Sequence, residues 1–195
     1  MRLILASGSI YRRNLLERLQ LPFSVQSPDV DESPLPNEAP AALAQRLAIS
    51  KAQAIASQHP DAIVIGSDQV AALGSLCLGK AGSHEKAVAQ LQQLSAQKVV
   101  FHTALCVAQN THQETVNVLT TCHFRELSRD EIENYLQFEK PYDTAGSAKA
   151  ESLGIALMQS MQSNDPTAII GLPLIELSRL LRQFGLNPLA SPISA

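Results

Sequence analysis

The spacing of apolar positions divides the chain into alternating strands and helices. Continuous apolar runs at 3–6 and 62–66 are typical of buried strands. Other segments repeat apolar residues three and four positions apart, a period that predicts helices with one buried face. Such helices are predicted at about 9–19, 40–58, 83–94, 128–138 and 173–184.

Further strands are predicted between these helices. Alternation such as Val116/Val118 favours two consecutive strands at about 99–108 and 115–124. Short segments at 23–27, 154–157 and 168–170 are also predicted as strands. Because helices alternate with strands and some strands form a hairpin, the pattern favours an α/β protein with a mixed sheet.

Composition narrows the class of protein. The 195 residues, 45% of them hydrophobic and 17% charged, are enough for one globular domain and argue against a disordered chain. The formal net charge of -3 argues against a general nucleic-acid binder. No apolar run approaches the ~18 residues that a membrane span needs. Three cysteines without paired spacing argue against disulfides or a zinc site and fit a reducing cytoplasm.

Two strand ends carry side chains suited to phosphate or metal. After the first strand, a Ser7-Gly8-Ser9 turn leads into a helix with Arg12 and Arg13, and a helix N-terminus and guanidinium groups both favour phosphate oxygens. After strand 62–66, Asp68 stands where α/β sheets bind ligands, and it could hold a metal or accept a proton from water. A capped helix with solvated arginines and a plain turn aspartate are the alternatives.

The loop Asp29-Val30-Asp31-Glu32 could bring a second carboxylate to Asp68 around a metal, although such a loop is more often a solvated turn. Lys51 and Lys80 are isolated in the sequence, and lysines of this kind usually lie on the surface. These residues, considered one at a time, therefore do not show whether their charges bind a ligand or only face solvent.

Seven segments of the chain, in order, carry a resemblance to a known family. They are Leu5-Ala6-Ser7-x-Ser9 with Arg12-Arg13, Asp31-Glu32, Arg46-Leu47-Ala48 with Lys51-Ala52, Gly66-Ser67-Asp68, Gly79-Lys80, Ala145-Gly146-Ser147 and Gly171-Leu172-Pro173-Leu174. Together they resemble the Maf family of nucleotide pyrophosphatases, over about 3–184. Ile10 replaces a proline that the family usually has, which loosens the turn but removes no reactive group.

The resemblance implies an α/β fold with an elongated, curved mixed sheet and two lobes around a central cleft. It implies one catalytic domain over 1–185. The remaining residues, 186–195, contain two prolines and are expected to form a loose tail. The implied reaction is hydrolysis of a nucleoside triphosphate to the monophosphate and pyrophosphate, with a divalent cation such as Mg²⁺, Mn²⁺ or Co²⁺. A cytoplasmic enzyme, often a homodimer, with no nucleic-acid or membrane partner is expected.

The resemblance also assigns roles to individual residues. The phosphate-binding positions are matched by Ser7, Arg12, Arg13, Lys51 and Lys80. The catalytic set is assigned to Asp68, Glu32 and Lys80, with Asp68 as the proton acceptor and with Glu32 and Asp68 as the metal-binding acid pair. The positions linked to substrate choice are matched by Tyr11, Gln69 and Glu151.

Within the family, the chain is most similar to the branch that hydrolyses 7-methyl-GTP. Gln69 stands where the dTTP/UTP branch usually has threonine, and Lys149-Ala150-Glu151 stands where that branch has a Tyr-Gly-x-Gln-like stretch. The alternatives are a pyrophosphatase for dTTP, UTP or another modified nucleotide, an inosine-triphosphate-cleaving enzyme, and a non-catalytic regulator of septum formation. The presence of both Glu32 and Asp68 argues against the regulator.

Overall fold

A computed structural model describes residues 2–190. Its strands are β1 (Arg2–Ala6), β2 (Ser24–Val25), β3 (Ala62–Leu73), β4 (Leu76–Leu78), β5 (Lys98–Gln109), β6 (His112–Phe124) and β7 (Met158–Ser163). They form a seven-stranded sheet in the order β2-β1-β3-β5-β6-β7, with β4 also paired to β3. β1 is parallel to β2 and β3, and the other pairings are antiparallel, so the predicted α/β class with a mixed sheet is confirmed.

All five predicted helices are confirmed. They are α1 (Ile10–Glu17), α2 (Pro40–Ala56), α3 (His84–Leu94), α4 (Arg129–Glu139) and α5 (Leu174–Gln183). Serine hydroxyls cap three of them, because Ser9, Ser83 and Ser128 each accept a hydrogen bond from the backbone of the first turn. Ser128 and Glu131 complete a reciprocal capping box at α4.

β3 is the central strand, and it changes neighbours along its length. β1 pairs with residues 62–66 of β3, and β4 pairs with residues 71–73 on the same edge. Within residues 2–190, positions 67–70 have no strand beside them on this edge, whereas β5 pairs with residues 64–72 on the other. Asp68, Gln69 and Val70, which lie in this gap, line a cleft.

Three apolar clusters cover the sheet on either side of this gap. α1 and α5 pack on one face of β1 and β3 around Leu5 and Ile65, and α2 packs on the opposite face around Val64. α3 and α4 pack at the far end of the sheet around Phe101. The clusters place two lobes on either side of the cleft, and β3 and β5 run through both lobes.

Two of the predicted strands are wrong. Residues 154–157 and 168–170 belong to short 3-10 helices, Leu153–Leu157 and Ala168–Ile170. Apolar runs this short do not distinguish a strand from a helical turn. At the second segment, local hydrogen bonds decide the outcome, because Asp165 Oδ1 accepts from both the backbone N–H and the hydroxyl of Thr167.

The sixth strand in the sheet order is β7, which has the polar sequence MQSMQS and mostly exposed side chains. It has no apolar alternation, and for that reason the pattern did not predict it. None of the helices in residues 2–190 is long and apolar enough to cross a lipid bilayer.

The tail predicted at 186–195 is described only in part. Leu186 packs against the core beside α5, and residues 191–195 lie outside the described part of the chain.

Candidate functional site

The cleft at the β3 gap has a volume of about 760 Å³, which is sufficient for a nucleotide-sized ligand. The N-terminus of α1, the loop before α2, the middle of β3 and the segments 77–80, 143–145 and 170–171 surround it. Eight of the residues predicted to form the site line the cleft: Ser7, Tyr11, Arg12, Glu32, Lys51, Asp68, Gln69 and Lys80.

Lys51 joins the two carboxylates of the predicted acid pair. Its Nζ atom lies 2.6 Å from Glu32 Oε1 and 2.6 Å from Asp68 Oδ1. The Lys51 side chain is only 7% exposed, and Asp68 is 11% exposed. α2 carries Lys51 on its buried face and β3 carries Asp68 opposite, so helix–sheet packing creates this contact. Within residues 2–190, Asp68 Oδ2 accepts no hydrogen bond from the protein and remains available to water or substrate.

Positive charges surround the Glu32 carboxylate. Burial by itself would raise the pKa of Glu32, but the hydrogen bond from Lys51 and the charge of Lys51 lower it. The charges of Lys80 and Arg12 act in the same direction, and the net effect is a pKa below the ordinary value for glutamate. Glu32 is therefore ionised at neutral pH.

The Arg12 guanidinium is aimed into the cleft by the start of α1 and by one backbone carbonyl. Its Nε atom donates to Gly171 O at 2.8 Å, and its Nη1 atom donates to Ser7 Oγ at 3.4 Å. Burial lowers the pKa of Arg12, whereas the charges of Asp68 and Glu32 raise it. Arginine stays protonated in proteins, so Arg12 remains a fixed positive charge.

Gly171 has a φ of 122°, in the region that favours glycine, and this conformation turns its carbonyl toward Arg12. The same carbonyl accepts from Ser67 Oγ at 3.1 Å. The segment Gly171-Leu172-Pro173 therefore acts on the site through the orientation of a backbone oxygen.

Gln69 lines the cleft from the face of β3 opposite to the face that carries Asp68. Its Nε2 amide is 3.0 Å from Thr103 Oγ1, 2.9 Å from Ala168 O and 3.0 Å from Ile169 O. The side chain is therefore attached both to β5 and to the 3-10 helix at 168–170, which restricts its movement.

Tyr11 lines the cleft at the start of α1, and Lys149 Nζ lies 5.9 Å from the centroid of its ring. Glu151 follows two residues later, in a turn outside the cleft lining, with much of the residue exposed. The pKa of Glu151 is raised, mainly by partial burial and to a lesser extent by the negative charges of Glu139 and Asp143.

Arg13 also lies outside the cleft lining. Its Nε atom donates to Glu17 Oε1 at 3.1 Å on the outer surface of α1, and its side chain is 56% exposed. Arg12 therefore lies with the other cations of the cleft, whereas Arg13 is exposed to solvent.

An ion pair holds the loop that carries Glu32. Arg46 donates to both carboxylate oxygens of Glu38, at 2.6 Å and 2.8 Å, and also to Ser33 O at 2.9 Å. The hydrogen bond from Arg46 lowers the pKa of Glu38 to about 2, assisted by the backbone N–H of Leu35. The Arg46-Leu47-Ala48 segment therefore fixes the loop next to Glu32.

Glu32 and Asp68 are suited to hold a divalent cation. Their carboxylate oxygens already contact one common positively charged atom, Lys51 Nζ. The described chain contains no group of three or more His, Cys, Asp or Glu side chains arranged for a metal. Mg²⁺ is commonly bound by one or two carboxylates together with substrate phosphates and water. The pair fits a cation that is bound jointly with a phosphate chain.

Sequence reasoning did not identify Thr103, Asp143 or the carbonyls at 168–169, although all of them lie at the cleft or contact its side chains. Thr103 reaches Gln69 only because β3 and β5 pair in one particular register. A single sequence contains no signal for that register beyond the hydrophobic alternation.

A solved structure with a similar fold is a HAM1 protein from Coxiella burnetii. The two chains align with a TM-score of 0.55 and 16% identity, over 94% of this chain and 99% of the other. At this identity the likeness concerns the fold alone. The open mixed sheet flanked by helices is therefore an architecture shared with a protein of very different sequence.

Sequence comparison places the chain in a family. Residues 2–184 match the model of the Maf-like protein family. A 7-methyl-GTP pyrophosphatase from Bordetella avium (strain 197N) is 60% identical, over 98% of this chain and 97% of the relative. Proteins of the same name from Bordetella pertussis (strain Tohama I) and Aromatoleum aromaticum are 59% and 56% identical, over 96% and 95% of this chain and 94% and 96% of theirs. With a match over almost its whole length, the chain belongs to the Maf family.

Proposed function

We propose that this protein is a nucleoside triphosphate pyrophosphatase that hydrolyses 7-methyl-GTP to 7-methyl-GMP and pyrophosphate. The observation that carries the proposal is the cleft in which Lys51 contacts both Glu32 and Asp68, beside Arg12 and Lys80. The relatives named 7-methyl-GTP pyrophosphatase, at 56–60% identity, support this substrate. Such an enzyme removes modified nucleotides from the cytoplasmic pool.

Asp68 is proposed to activate the attacking water. A carboxylate within hydrogen-bond reach of a water can accept its proton as the water attacks phosphorus. Asp68 Oδ1 is engaged by Lys51, whereas Oδ2 has no donor within the described chain. Lys51 thus orients the carboxylate so that its free oxygen can contact the water.

The cations of the cleft are proposed to bind the triphosphate and to stabilise the leaving pyrophosphate. Arg12 provides a planar donor set, while Lys51 and Lys80 provide two ammonium groups. Negative charge grows on the bridging oxygen as the bond from the α-phosphorus breaks, and fixed positive groups stabilise it. Ser7, whose hydroxyl accepts from Arg12, supports the same subsite.

A divalent cation held by Glu32 and Asp68 would supply charge neutralisation to the phosphate chain when bound. Glu32 and Asp68 provide the carboxylate oxygens, and Lys51 keeps the two side chains together. We propose Mg²⁺, Mn²⁺ or Co²⁺, since all three accept oxygen ligands of this kind.

The methylated base is proposed to bind near Tyr11. Methylation at N7 makes the guanine ring cationic, and an aromatic face attracts a flat cation. Lys149 Nζ lies 5.9 Å from the Tyr11 ring centroid, so a cationic base that stacks on this ring would displace the ammonium group. Glu151 would complete the subsite, because a carboxylate can accept from the guanine amino group.

Replacing Glu151 by glutamine is expected to lower the preference for 7-methyl-GTP. The ratio of kcat/KM for 7-methyl-GTP to kcat/KM for GTP should fall about tenfold or more, the effect of losing one charged hydrogen bond. Glu126→Gln, an exposed residue away from the cleft, is the matched control and should leave the ratio unchanged. Equal slowing of both substrates by Glu151→Gln would show that Glu151 does not recognise the base.

The bond that is cleaved is tested by the products. Hydrolysis at the α-phosphorus should yield 7-methyl-GMP and pyrophosphate in equal amounts, because the cations of the cleft stabilise a pyrophosphate leaving group. Anion-exchange chromatography of a completed reaction separates the products. The diphosphate and orthophosphate as main products would contradict the proposed chemistry.

A further inference from the structure

The amide group of Gln69 can adopt only one orientation. Its Nε2 atom is surrounded by Ala168 O, Ile169 O and Thr103 Oγ1, at 2.9–3.0 Å. Backbone carbonyls only accept hydrogen bonds. Thr103 donates its own hydroxyl hydrogen to Ala168 O at 2.9 Å, so it too acts as an acceptor toward Gln69. A reversed amide would place Oε1 against three oxygen atoms.

Thr103 provides the side-chain acceptor among these three, and the other two acceptors are backbone carbonyls. It is fully buried and lies opposite Gln69 in the register of β3 and β5. Its hydroxyl accepts from Gln69 and donates to the 3-10 helix at 168–170, so it links three elements at one point. Valine has almost the same shape but offers neither a donor nor an acceptor.

The fixed amide presents one kind of group to the cleft. Gln69 is half-buried and lines the cleft, and its two N–H groups are committed to the three acceptors. Within residues 2–190, Oε1 of Gln69 receives no hydrogen bond. The atom available to a ligand is therefore an acceptor that cannot exchange roles with the amide nitrogen.

We infer that Thr103 is a positioning residue for base selection, which holds Gln69 so that Oε1 accepts from a ring N–H of the substrate base. Guanine carries such a group at N1, next to its amino group, whereas N1 of adenine is an acceptor. Adenine nucleotides would place two acceptors against each other. The inference rests on the proposed function, because it concerns the recognition of a guanine-type base in the same cleft.

The test is the selectivity of a Thr103→Val variant. The ratio of kcat/KM for 7-methyl-GTP to kcat/KM for ATP should fall about three- to tenfold, the range for one neutral hydrogen bond. Thr103→Ser keeps the hydroxyl and should restore the ratio to within about twofold. A folded Thr103→Val variant with the wild-type ratio would overturn the inference. If valine prevents folding, Thr103→Ala removes the same hydroxyl without crowding and takes its place.

A Gln69→Leu background separates positioning from general support of the fold. If Thr103 acts through Gln69, then Thr103→Val should produce no further fall in the ratio once Gln69 is absent. An equal fall in both backgrounds would show that Thr103 acts by another route, and would also overturn the inference.

Binding measurements separate this inference from the proposed function. The affinities of GTP and ATP can be measured with an Asp68→Asn variant, in which they do not depend on turnover. When Thr103→Val is added to this variant, the ratio of the GTP affinity to the ATP affinity should fall by about three- to tenfold, as predicted for the kcat/KM ratio. A wild-type protein that fails to hydrolyse 7-methyl-GTP would contradict the proposed function and leave this binding test in force. An unchanged GTP/ATP affinity ratio would contradict the positioning role by itself.

Discussion

Asp68→Asn is expected to reduce kcat for 7-methyl-GTP by about two to four orders of magnitude, the usual effect of removing a general base. Asparagine keeps the size of the side chain and can still contact Lys51, but it cannot accept a proton from water at neutral pH. The affinity for the nucleotide should change far less, because Arg12 and Lys80 are untouched. Single-turnover kinetics combined with calorimetric titration measures both quantities.

Asp61→Asn is the matched control for this substitution. Asp61 is exposed and immediately precedes β3, outside the cleft lining, so its replacement removes the same charge without changing the site. We expect wild-type kcat for Asp61→Asn. Near-normal kcat in Asp68→Asn would remove Asp68 from the mechanism.

Gly66→Ala is expected to destabilise the fold by about 2–4 kcal/mol, a large effect for the addition of one methyl group. A Cβ atom at this position would collide with the carbonyl oxygen of Ala48 and would lie 2.6 Å from the backbone nitrogen of Ala52. Both belong to α2, which packs directly on β3. Relief would require the helix to move away from the sheet, together with Lys51. Urea denaturation measures the change in the free energy of unfolding.

Gly79→Ala provides the comparison for Gly66→Ala. No atom lies within 4 Å of a Cβ built at Gly79, and its φ is not in the left-handed region. The free energy of unfolding should therefore change by less than about 0.5 kcal/mol. A Gly66→Ala variant as stable as Gly79→Ala would contradict the close approach of α2 to β3.

Local signals in the sequence predicted the elements that depend on local chemistry. Ser9 and Ser128 mark helix starts because capping involves only residues one turn apart. The segment at 168–170 was mispredicted because its conformation depends on Asp165 and Gly171, and three apolar residues have no period of their own. β7 was missed because pairing with β6, and not burial of an apolar face, makes it a strand.

The site was predictable to the extent that the family resemblance assigned its residues. Lys51, read alone, fitted a surface residue, yet it is buried between Glu32 and Asp68. Its partners come from a loop and from a strand, and only the packing of α2 on β3 brings the three together. The roles of Arg13 and Glu151 stay predictions, since both lie outside the cleft lining.

The most direct test of the proposed function is the kcat/KM of the wild-type protein for each member of a panel of triphosphates. Activity is measured as pyrophosphate release in the presence of a divalent cation. 7-methyl-GTP, GTP, dTTP, UTP and ATP are compared at equal enzyme concentration. The proposed function predicts the highest kcat/KM for 7-methyl-GTP, with pyrophosphate as a product. A higher kcat/KM for dTTP or UTP than for 7-methyl-GTP would contradict it.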